Sequence, residues 1–135
     1  MGIKYEQANK VLTEEFLEMK VAFENDPEEY DDGDIHSCYT LYEREFTPYV
    51  LRQLRKNNKP ELKKIFDFLE KLFTEGDEMI VNLVGVAVVE SLYFDGVCDS
   101  FKDTLQKFCG NKTLQSFYDS LSDDERTGWG KSLAA

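Results

Sequence analysis

The chain has 135 residues, 27 of them acidic against 16 basic, for a net charge of −11. That charge repels phosphate and anionic lipid, which argues against direct nucleic-acid binding and against a peripheral membrane protein, and it suits a basic protein partner. With 41% hydrophobic and 13% aromatic residues, there is enough Phe, Tyr, Leu and Val for one packed domain spanning 1–135.

In chain order, residues 6–23 place Val11, Leu12, Phe16, Met19, Ala22 and Phe23 at intervals of three and four, which predicts a first amphipathic helix. It should stop before Asp26-Pro27, because the residue preceding a proline is pushed out of the helical region. The stretch 24–34, ENDPEEYDDGD, holds seven acids and no base and reads as an acidic connector. Helical spacing resumes at Ile35 with Tyr39, Tyr42 and Phe46. Thr47-Pro48 then resembles an N-cap followed by proline at the first helical position, so 35–57 is either one kinked helix or two.

Pro60 marks the first turn of a helix whose Leu62, Ile65, Phe66, Leu69, Leu72 and Phe73 share one face, with Gly76 expected as its left-handed C-terminal residue. Asp77 can cap the next helix, and 60–94 makes a core hairpin. That next helix, carrying Met79, Ile80, Leu83, Val84, Val86, Ala87, Val88 and Leu92, has almost no polar side and should lie at the centre of the fold. Its β-branched run would also suit a strand, but no partner strand is in evidence, and Gly85 and Ala87 permit close helix packing. Asp95-Gly96 closes it. A short helix with Phe101, Leu105 and Phe108 ends at Gly110-Asn111, and a last one carries Leu114, Phe117, Tyr118 and Leu121. The SDDE spacing from Ser122 is that of a capping box, but Gly128 and Gly130 limit the tail 122–135 to a turn and a frayed end, with Trp129 folding back. The expected fold is all-α, a compact bundle or short stack of helical hairpins with about six to eight helices.

Chemistry is harder to find. Asp34, His36 and Cys38 offer an acid, an imidazole and a thiol, but adjacency in sequence does not supply nucleophile geometry, so no catalytic residues are assigned and the chain is read as a non-enzyme. An EF-hand with Gly33 at its sixth position would put Tyr39 where the terminal bidentate carboxylate belongs, and no metal or cofactor site is assigned. Cys38, Cys98 and Cys109 lack CxxC spacing and suit reduced thiols in core positions. The polar start MGIKYEQANK has no apolar signal core, Glu6 departs from the myristoylation pattern, and the run 79–89 is too short to span a bilayer. A cytoplasmic protein is expected.

Charge is uneven. Residues 1–47 hold 13 acids and 4 bases, and 73–100 hold six acids and none. The basic stretch Arg52, Arg55, Lys56, Lys59, Lys63 and Lys64 is expected to pair with acidic segments internally. The candidate partner-binding residues are the acids Asp26, Glu28, Glu29, Asp31, Asp32 and Asp34, which would steer a basic partner, and the tyrosines Tyr30, Tyr39 and Tyr42, a residue type that anchors interfaces.

The string FDFLEKLFTEGDEMIVNLVGVAVVESL, from Phe66 to Leu92, resembles a family of small helical bacterial proteins encoded beside polymorphic toxins, with weaker similarity in FKDTLQKFCG and LQSF. The shared pattern is a helix, a short EGD turn and a second helix. The resemblance implies an immunity protein, of contact-dependent growth inhibition systems among others, that binds and neutralises a cognate toxin domain, often a basic nuclease. No catalytic residues, cofactor or binding residues come with it. A helical adaptor with no toxin partner is the alternative.

Overall fold

Ten helices, eight of at least seven residues, account for nearly all of residues 2–30 and 37–129, the part described by the computed structural model. No strand occurs among the described residues, so the fold is all-α, as the spacing predicts. The segment 79–94 is helical, which settles the strand alternative.

The first predicted helix is two. A 3-10 turn, Tyr5–Gln7, leads into α1 (Ala8–Glu15), and α2 (Leu17–Asn25) follows. Between them Phe16 is extended, at φ −125° and ψ 113°. The break serves packing: the buried Phe16 ring lies 5.2 Å from those of both Phe46 and Phe68 and 5.9 Å from that of Tyr49, in tilted and edge-on arrangements that aromatic pairs favour. A regular helix through residue 16 fits the apolar spacing equally well, so periodicity alone does not reveal the break.

After α3 (Pro27–Tyr30), α4 runs through 37–56 as one continuous helical stretch: Ser37–Leu41, a π-helical turn Tyr42–Phe46, then Thr47–Lys56. Thr47 is therefore not an N-cap. Pro48 lacks an N–H and its ring crowds the carbonyl four residues back. The wider π turn just before it, in which Thr47 N–H donates to Tyr42 O, accommodates the ring without ending the helix. The freed Thr47 hydroxyl is buried and donates to Ala87 O at 2.8 Å. Asn57, left-handed at φ 52°, ends α4.

α5 (Lys59–Glu75) carries the predicted apolar face, fully buried at Leu62, Ile65, Phe66, Leu69 and Leu72. Gly76 is not left-handed. It is extended, at φ −76° and ψ 152°, and glycine is required there for space: a Cβ would lie 2.2 Å from Ile80 Cγ2 and 2.4 Å from Leu72 O. The tightness has a purpose. Ile3 bridges this turn, donating to Glu75 O at 2.7 Å and accepting from Asp77 N at 2.9 Å. Asp77 also caps α6, accepting from Ile80 N at 2.9 Å and from Tyr5 N at 3.0 Å. These backbone donors favour its charged form and hold its carboxyl below the usual range.

α6 covers 78–94, with a π-helical segment Val84–Glu90 at its middle, and packs against α4, α5 and α9. Gly96, left-handed at φ 81°, turns the chain into α7 (Val97–Ser100). α8 (Lys102–Phe108), α9 (Asn111–Ser120) and α10 (Asp123–Trp129) complete the order. The C-terminal segment is more structured than its glycines imply. Ser122 N donates to Glu125 Oε1 at 2.8 Å and Glu125 N to Ser122 Oγ at 3.3 Å, the reciprocal bonds of a capping box. Arg126 donates to the carbonyls of Tyr118 and Asp119 at the end of α9, and Trp129 is buried.

Candidate acidic and apolar binding surface

The described part of the acidic connector is anchored to the helices around it. Asp26 and Glu28 are exposed and Glu29 half-buried. Arg44 on α4 donates to Glu29 at 2.8 Å, Tyr30 Oη donates to Glu45 at 2.5 Å, and the Asn9 amide reaches Tyr30 O at 3.4 Å. Burial first, and the Glu45 carboxylate second, push the Tyr30 phenol up to about 12. Asp31, Asp32, Asp34 and His36 lie outside the described residues.

The tyrosines take other places than expected. Tyr42 is wholly enclosed, its hydroxyl donating to Ala8 O at 2.6 Å, and Tyr30 is buried as well. Both rings pack inside while the hydroxyl finds an acceptor, so they hold the fold and position α3. Tyr39 is half-buried and leads elsewhere. Its hydroxyl accepts from the Asn82 side-chain amide on α6 at 2.7 Å.

Asn82 borders a groove of about 410 Å³ between α6 and α9. Its apolar lining includes Val81, Val86, Phe73 and Phe94, and Glu90 and Asp119 flank it. The helix carrying Met79 to Leu92, expected at the centre of the fold, thus has an open side. Val86 is 43% exposed and Phe94 80%, while Leu83, Val84, Ala87, Val88 and Leu92 are buried. A helix apolar all round needs neighbours on every side, and here α4, α5 and α9 cover only part of it. That mismatch between an apolar helix and a small fold was the available signal for the groove.

Among the described residues, one ion pair joins the basic stretch to an acidic segment. Arg52 bonds Glu18, whereas Lys63 pairs with Asp67 on its own helix at 2.7 Å and the Lys64 ammonium lies 4.9 Å from the Phe16 ring centre. Among the described residues no group of three His, Cys, Asp or Glu side chains could hold a metal ion. Cys38 and Cys98 are buried, and burial pushes the Cys98 thiol up to about 12 and the Cys109 thiol higher still, the opposite of what activates a nucleophile. No described helix is long and apolar enough to cross a membrane.

Residues 9–125 match the family described as a domain of unknown function, DUF7674. The chain belongs to this family. The match runs from α1 into α10, so the helical body described above, groove included, lies within the family domain. No curated protein and no solved structure matches the chain.

Proposed function

We propose that this protein works by binding a basic protein partner and holding it in a complex, and that the partner is a toxin domain it neutralises in the cytoplasm. The observation carrying the reading is the distribution of charge over a helical scaffold: 13 acids against 4 bases in residues 1–47, with Asp26 and Glu28 exposed beside an α3 that Tyr30 and Glu29 fasten to α4. A fixed acidic surface accelerates capture of a cationic one and competes for the lysines and arginines a nuclease uses on phosphate. The toxin as partner rests on the resemblance of 66–92 to immunity proteins.

Co-expression with the product of the adjacent upstream gene tests the reading. The expected result is a copurifying complex and relief of that product's toxicity, and the absence of both would overturn it. Within such a complex, neutralising Asp26, Glu28, Glu29, Asp31, Asp32 and Asp34 to their amides should slow association about tenfold at low salt, within the reach of electrostatic steering. An unchanged association rate would remove the segment from the interface.

A further inference from the structure

We propose that the groove between α6 and α9 seats an amphipathic helix of the protein partner, apolar on the side facing the groove and rich in lysine and arginine on its flanks. This rests on the reading of the protein as a binder of a basic partner, and it adds the element by which that partner is anchored. The apolar residues along the open side of α6, from Val81 through Val86 to Phe94, extend roughly 20 Å at the helical rise per residue, a length matching three to four turns of a docked helix with anchors at i, i+3 or i+4, and i+7. Gly85 lies on this side, and a Cβ there would meet nothing within 4 Å, so a facing side chain can approach the α6 backbone closely.

Charge selects the occupant. Glu90 and Asp119 flank the trough, both exposed, and 73–100 contains six acids and no base. A two-fold pairing of α6 with α6 of a second copy would set these carboxylates against one another, whereas a cationic flank meets them favourably. The walls are helices whose backbone groups bond internally, so the groove offers no strand edge. An extended segment would leave its own N–H and C=O groups unmatched, while a helix satisfies them itself.

The test uses the full-length protein and a fluorescein-labelled synthetic helix of about four turns, with Leu and Phe along one face and Lys and Arg beside it. Two control peptides accompany it, one with the same composition scrambled around the helix and one with Glu replacing every Lys and Arg. Anisotropy should report binding of the basic amphipathic peptide alone, weakened about tenfold or more by Phe94→Ala and by Gly85→Trp, changes of the size seen at interface anchors. Phe94 is mostly exposed, so its truncation leaves the fold intact even if the tryptophan does not. Equal binding of the scrambled or acidic peptide, no peptide binding, or unchanged affinity in both variants would overturn the proposal. So would a wild-type dimer in sedimentation that Phe94→Ala dissociates, since a second copy would then occupy the groove. If the co-expressed partner still copurifies with both groove variants at full affinity, the groove assignment fails and the partner-binding reading stands. If neither the peptide nor that partner binds the wild-type protein, both fail.

Discussion

Glu70 projects from α5, yet its carboxylate accepts from Thr113 N and Thr113 Oγ1 at 2.9 Å each and from Lys112 N at 3.2 Å, at the start of α9. A helix N-terminus carries unmatched N–H groups and a positive dipole end, and Gly110 at the cap position has no side chain to answer them. The missing side chain is also what admits Glu70: a Cβ on residue 110 would fall 2.4 Å from the Glu70 carboxyl carbon. Glu70→Ala should therefore destabilise the protein by about 1–2 kcal/mol, the usual worth of an N-cap. Gly110→Ala should cost a similar amount by displacing the carboxylate, and most of that cost should vanish in the Glu70→Ala background. Urea unfolding of the four members of the cycle measures it, and additive costs would show that the two positions act independently. The local caps, Asp77 over Ile80 and Ser122 with Glu125, were legible because capping depends on an offset of three residues. Glu70 is 43 residues from Thr113, and no offset rule reaches it.

At the scale of elements, the π turn of α4 and the π segment of α6 pack against each other, and the buried bond from the Thr47 hydroxyl to Ala87 O joins them. A widened turn disturbs the regular pairing of carbonyls with N–H groups, so a hydroxyl from the facing helix has an acceptor to find. Thr47→Val keeps the shape and removes the donor, leaving a buried carbonyl without that partner. It should cost about 1–3 kcal/mol, whereas Thr47→Ser, which keeps the hydroxyl, should recover much of the loss. Thermal unfolding distinguishes this from packing alone, which would make serine the worse substitution. The sequence shows where apolar residues recur but not where a turn widens or a residue such as Phe16 leaves the helix. For that reason α5 was legible nearly to the residue, while the break in the first helix and the continuity of 37–56 were not. The same limit hid the groove: spacing marked α6 as apolar, and only packing decides which part of that surface its neighbours leave open.

For the whole molecule, one change of solvent should act in opposite directions on the fold and on the proposed complex with a basic partner. A net charge of −11 on 135 residues repels itself in the folded state. The ion pairs found among the described residues, Arg44–Glu29, Arg52–Glu18 and Lys63–Asp67, are all solvent-exposed, and such pairs contribute little each. Raising NaCl from about 0.01 M to about 1 M shortens the screening length from roughly 30 Å to roughly 3 Å. The repulsion relieved then outweighs the attraction lost, and the urea midpoint should rise. Association with a basic partner should slow about tenfold or more over the same range, because steering acts at long distance. Dissociation from the groove should change less, since its apolar contacts are short-ranged and only those to the flanking Glu90 and Asp119 are screened. Neutralising Asp26, Glu28 and Glu29 should weaken the salt effect on unfolding and on association together. A midpoint that falls with NaCl would mean that attraction among the charges, not repulsion, governs this fold. A dissociation rate as salt-sensitive as the association rate would mean that the partner is held by charge alone.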